Sequence, residues 1–175
     1  MLKLILILIL AVVAVILILA ALKPKTFRVV RSAIIPASPD KIFPHLNDFR
    51  NWKNWSPWEI KDLNMQKTYG GSPSGKGAIY EWNGNKNVGS GRMEIIESIF
   101  PTLVVTKLDF ITPFEGHNKA SFALQAVPEG TKVVWVMDGP TAFIPRIFSI
   151  FVDMDKMIGK DFEEGLEGLK KVSMS

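Results

Sequence analysis

Residues 142–171 read AFIPRIFSIFVDMDKMIGKDFEEGLEGLKK. Phe143, Ile147, Ile150, Met154, Met157, Ile158, Phe162, Leu166 and Leu169 recur at helical spacing, so the stretch predicts one long amphipathic helix. Pro145 falls near its start, where Pro is tolerated. What precedes the helix indicates what it packs on. Six β-rich runs follow one another at 64–70, 77–83, 87–98, 102–111, 116–126 and 131–138. Turn signals separate them: Gly70-Gly71-Ser72-Pro73, Asn83-Gly84-Asn85, Phe100-Pro101, Thr112-Pro113 and Pro128-Glu129-Gly130. Such spacing suits an antiparallel meander. A seventh run, FRVVRSAII at 27–35, stands apart, ended by Pro36. Ser38-Pro39-Asp40 then opens a short helix over about 39–46, with a cap, a first-turn Pro and an acidic residue at the positive end of the dipole. A second short helix is expected from Asp48 to Trp55, before the Ser56-Pro57 break. The fold class is α+β: a curved antiparallel sheet of about seven strands closing around a long C-terminal helix.

A different kind of segment stands at the N-terminus. Leu4 to Leu22 is nineteen consecutive Leu, Ile, Val and Ala residues. As a helix it spans roughly 28 Å, close to the hydrocarbon thickness of a bilayer. The reading divides the chain into a transmembrane anchor with a basic juxtamembrane segment (1–25) and a domain (26–175). A cleaved signal peptide fits less well, because the apolar core exceeds the usual length and no A-x-A site follows. Lys23, Lys25, Arg28 and Arg31 form a basic cluster suited to anionic head groups. They also favour a cytoplasmic domain by the positive-inside rule. The start Met-Leu-Lys fits an export signal or signal anchor as well, which places the domain outside. The net charge of +4 needs no basic stripe on the domain, and nucleic acid is not an expected partner. The chain has no Cys, so disulfides and thiolate chemistry are excluded.

Local motifs add a family resemblance. They are Ile35-Pro36-Ala37-Ser38-Pro39-Asp40-Lys41-Ile42-Phe43, Trp52-Lys53-Asn54-Trp55-Ser56-Pro57-Trp58-Glu59, Gly75-Lys76-Gly77-Ala78-Ile79-Tyr80-Glu81-Trp82, Gly89-Ser90-Gly91-Arg92-Met93-Glu94-Ile95 and Gly159-Lys160-Asp161-Phe162-Glu163-Glu164-Gly165-Leu166-Glu167-Gly168-Leu169-Lys170. In this order, over about residues 26–172, the chain resembles the START-like superfamily of helix-grip proteins (SRPBCC, polyketide cyclase/dehydrase type). The resemblance implies a hydrophobic cavity between sheet and helix. It does not specify a function, since that superfamily hosts lipid carriers, cyclases and hormone receptors.

Strand alternation nominates the inward residues. They are Tyr80 and Trp82, then Gly91 and Met93, then Leu108, Phe122, Trp135 and Met137. Phe151, Met154 and Ile158 are expected to face the sheet from the long helix. Together these are the candidate ligand contacts, with ordinary core packing as the plainer role for each. Gly89 and Gly91 are expected to leave space on the inward face, and Met residues to give adaptable walls. Trp52, Trp55 and Trp58 either pin their loop to the sheet, ring a pocket mouth or touch the bilayer interface.

Catalytic motifs are missing. Two His, His45 and His117, cannot make a three-histidine metal site, and neither HExxH nor GxSxG occurs. Gly70–Gly77 lacks the GxxxxGK[ST] form and precedes a strand, not a helix. Alternation turns Glu81, Arg92, Glu94 and Asp109 outward, leaving no acid–base pair inside unless a bulge rotates Arg92 or Glu94. No cofactor or metal is expected. The expected partners are a membrane and a hydrophobic small molecule or lipid. Two further readings stay open: an enzyme of the cyclase/dehydratase or hydrolase kind, and an interaction or stress-related protein whose core is filled. A cavity under roughly 300 Å³ favours the last.

Overall fold

The computed structural model describes residues 1–175. The chain runs α1 (Leu2–Leu22), β1 (Thr26–Ile35), α2 (Pro39–Asn47), a 3-10 helix (Phe49–Asn54) and α3 (Pro57–Lys61). There follow β2 (Gln66–Gly71), β3 (Ala78–Asn83), β4 (Ser90–Ile99), β5 (Leu103–Thr112), β6 (Gly116–Val127), β7 (Gly130–Pro140), α4 (Phe143–Phe148) and α5 (Met154–Met174). The strands form one antiparallel sheet in the order β1-β7-β6-β5-β4-β3-β2. Consecutive hairpins build β2 to β7, and β1 closes on β7, with Thr26 opposite Pro140 and Ile35 opposite Thr131. The short helices bridge from β1 at one edge to β2 at the other, and α5 packs along β1. This is the helix-grip arrangement.

Alternation is written into the burial. Ala78, Tyr80 and Trp82 are buried on β3 while Glu81 and Asn83 are exposed. Val133, Trp135 and Met137 are buried on β7. In β4 the register shifts between Ser90 and Gly91 and again between Ile95 and Glu97. Both shifts lie outside Arg92–Glu94, so those side chains keep to the outer face. There Arg92 pairs with Glu94 (2.9 Å) and Glu81 (3.6 Å), and Met93 points inward.

Between sheet and α5 the interior is aromatic. Phe162 of α5 stacks on Trp135 with ring centroids 4.0 Å apart. Trp135 also meets Phe122 (4.7 Å) and Trp55 (5.7 Å). Two glycines let α5 come this close: a Cβ at Gly165 would lie 2.7 Å from the Trp135 ring, and one at Gly168 2.5 Å from the Trp55 carbonyl oxygen.

Two local expectations change. The helix predicted over 142–171 is broken at Ser149–Asp153 into α4 and α5. The Ser149 hydroxyl donates back to the Arg146 carbonyl, and the Asp153 carboxylate accepts from the Lys156 N–H as a new N-cap. The Ser56-Pro57 pair starts a helix, α3, instead of only ending one.

Candidate functional site

The sheet has two distinct ends. At one lie the start of β1, the ends of β5 and β7, and the link from α4 to α5. There a cleft of about 860 Å³ opens, within the size of small-molecule sites. Phe27, Phe110, Met137 and Met154 supply apolar wall, and Phe114, Ile150, Phe151 and Val152 its mouth. Lys23 and Pro24, just after α1, lie on its rim.

Of the residues nominated from sequence, Met137, Phe151 and Met154 line this cleft. Phe151 does so from the link, largely exposed, rather than facing the sheet from a helix. Tyr80, Trp82, Met93, Leu108, Phe122 and Trp135 are buried in the continuous core behind it, and half-buried Ile158 packs against that core. The two groups meet at Phe110, whose ring contacts Trp82 edge-on at 5.8 Å. Phe110 stands two residues from Leu108 on β5, so strand alternation puts it on the same face. Phe114 comes from a loop without period and nothing in the sequence pattern marks it, while Pro145 and Ile150 belong to the helical pattern of 142–171, which does not show that they line a cleft.

The glycines do not provide the space. The Trp82 ring fills the position a Gly91 side chain would take, and the Asp109 carbonyl lies 2.5 Å from it. Gly89 is a turn residue at φ 64°, backed by the Thr112 carbonyl. The tryptophan cluster is likewise internal. Trp52 and Trp55 are buried, donating Nε1–H to the carbonyls of Leu46 (3.2 Å) and His45 (2.9 Å). Trp58 is half-buried between Trp135 and Phe162. All three pin the 3-10 helix and α3 beneath α5, away from the cleft lining.

Five ionisable residues stand on the rim: Lys23, Arg28, Glu115, Asp153 and Asp155. None pairs with another. Asp153 caps α5. Asp155 meets Arg31 at 3.0 Å, and the hydrogen bond from that guanidinium holds its carboxyl below the usual range. Arg31 also bonds Glu163 at 2.8 Å. It therefore clamps β1 to α5 and leaves Lys23, Lys25 and Arg28 as the basic residues that follow α1.

The one buried charged side chain, Glu59, lies elsewhere. It accepts from Tyr80 Oη at 3.1 Å and pairs with Lys67. Burial, reinforced by that carboxylate, pushes the Tyr80 phenol far up. None of the three lines the cleft. Neither histidine does. His117 joins Asp109 at 2.8 Å, and its pKa is raised by that hydrogen bond. His45, partly buried with Nδ1 unpartnered, is lowered by desolvation.

Residues 26–173 match the family model described as polyketide cyclase / dehydrase and lipid transport. No curated protein sequence matches the chain. Solved structures share the fold at low identity. The protein CV1439 of Chromobacterium violaceum aligns at TM-score 0.60 and 14% identity, over 87% of this chain and 99% of that one. The Aha1 dimer of Colwellia psychrerythraea aligns at TM-score 0.59 and 18% identity, over 82% and 93%. Ara h 8.0201 aligns at TM-score 0.56 and 14% identity, over 85% and 95%.

Proposed function

This chain belongs to the polyketide cyclase / dehydrase and lipid transport family, and from that premise we propose that it is a membrane-tethered module that binds a hydrophobic small molecule or lipid without transforming it. The observation that carries the reading is the cleft of about 860 Å³ with Phe and Met walls, beside the end of an apolar helix. Met137, Phe151 and Met154 make the ligand contacts, and the packed core from Tyr80 to Trp135 is the floor that holds them in place. α1 has the length and hydropathy to cross a membrane, properties that a signal sequence shares. In this reading it is retained, with 26–175 as the working domain. Lys23, Lys25 and Arg28 favour the cytoplasmic face for that domain.

The rim carboxylates support binding over catalysis. Asp153 and Asp155 are engaged as cap and clamp, and no ionisable pair faces another across the cleft. The test is to purify residues 26–175 from cells, extract them into organic solvent and identify bound lipid by mass spectrometry. A lipid panel is then screened for a shift in melting temperature. Co-purified lipid, or a shift abolished by Met154→Trp, is the expected result. No bound lipid and no shift across the panel removes the basis of the proposal.

A further inference from the structure

α4 is a short helix that packs on α1 yet leaves most of its apolar side chains uncovered. Phe143, Ile144 and Phe148 are 41%, 56% and 51% exposed, and Phe151 and Val152 of the following link 69% and 43%. Phe114, from the β5–β6 loop, brings its ring to 5.5 Å from Phe148. These six residues come from two separated segments and converge at one place. A soluble surface seldom gathers so many large apolar groups in one patch.

Where the patch sits suggests what covers it. α4 packs on α1. On α1 only Ala20 is buried and Ile16, one turn earlier, half-buried, so these mark its covered face. Ala20 lies about 3 Å and Ile16 about 9 Å from Leu22 along the helix axis. An α1 that crosses a bilayer therefore carries α4 to the depth of the headgroup–acyl boundary, where interfacial helices sit. The charges agree. Lys23, Lys25 and Arg28 surround the point where α1 meets the domain, and Arg146 lies over the Phe143 ring at 5.2 Å, an apolar stem with a polar head suited to that layer.

We infer that α4, the link after it and Phe114 are a second membrane contact, sunk into the interfacial layer of the same bilayer that holds α1. The cleft shares Phe114, Pro145, Phe151 and Val152 with this patch, so its mouth opens on the bilayer. A ligand then enters from the membrane without crossing water. The inference rests on the tether proposed above and adds to it the orientation of the domain.

The chain has no Cys, so a single introduced thiol can be labelled uniquely. Ile144→Cys, Phe148→Cys, Leu10→Cys and Glu129→Cys are each made in the full chain and labelled with an environment-sensitive fluorophore. They are reconstituted into phosphatidylcholine vesicles containing phosphatidylglycerol, with and without lipid carrying a nitroxide on the upper acyl chain. Positions 144 and 148 are expected to be quenched about twofold or more, as for groups at the acyl boundary, with 129 at the far hairpin unchanged. Quenching at 10 but not at 144 or 148 overturns the second contact and leaves the tether standing. No quenching at 10 overturns the tether and this inference with it. Neither outcome depends on whether lipid co-purifies, so failure of the ligand-binding proposal is separately visible.

Discussion

Glu59 occupies a place where a carboxylate is costly unless it is paired. It is 9% exposed, and Lys67 and Tyr80 supply its partners. Tyr80→Phe is expected to cost about 1.5–3 kcal/mol in urea unfolding, the usual net worth of a hydrogen bond to a charged group. Glu59→Ala, which strands both donors, is expected to cost about 2–3 kcal/mol. His45 gives a pH signature. Its ordinary pKa of 6.5 is lowered by burial in the fold, so the unfolded chain binds the proton first. Stability from this site is therefore full above pH 6.5 and falls as pH drops from there through the folded value. His45→Leu should flatten that part of a stability–pH curve measured by chemical denaturation. The burial of Tyr80 was readable from strand alternation. The hydrogen bond to Glu59 was not, because α3, which carries Glu59, is a five-residue helix with too few turns to show a period.

At the level of the element, α5 depends on its cap and on close approach. Asp153→Ala is expected to lose about 1 kcal/mol, the usual value of an N-cap, and to raise amide exchange in the first turn of α5. Gly168→Ala puts two effects in opposition. Helix propensity favours Ala by about 1 kcal/mol, but the new Cβ meets the Trp55 carbonyl at 2.5 Å. Trp55 is fixed by its N–H bond to the Trp52 carbonyl and by its buried ring, so its oxygen has little room to yield, and net destabilisation of about 1–3 kcal/mol is expected, as for overpacking. The apolar period of 142–171 reveals helix throughout and hides the break. Phe143 to Ile150 continue the same spacing but turn to α1 and solvent. Period reports which residues share a face, and not whether one axis runs through them.

For the whole molecule, the sheet and α5 make their main connection to α1 through α4. Starting the chain at residue 26 should therefore leave one cooperative unfolding transition with its midpoint little changed. The scan should be run in detergent or with lipid, because α4 then exposes the face that α1 covered.

The helix-grip architecture, the seven strands, the inward faces and the apolar helix were all legible from order, period and turn residues. Each is a local property, set by side-chain spacing along a strand or helix. The placement of the cleft was not. Ten of the eleven nominated residues come from faces that do turn inward, with Phe151 in the link as the exception; Gly91 turns inward but lies under the Trp82 ring and leaves no space. Yet an inward face is the same whether its neighbours close over it or stand apart. In the middle of the grip Phe162, Trp135 and Phe122 meet and leave no room. At the α1 end α4 departs toward α1 instead of running on into α5, and the volume it fails to fill becomes the cleft. That depends on how elements far apart in the chain pack together, which alternation along any one of them does not contain.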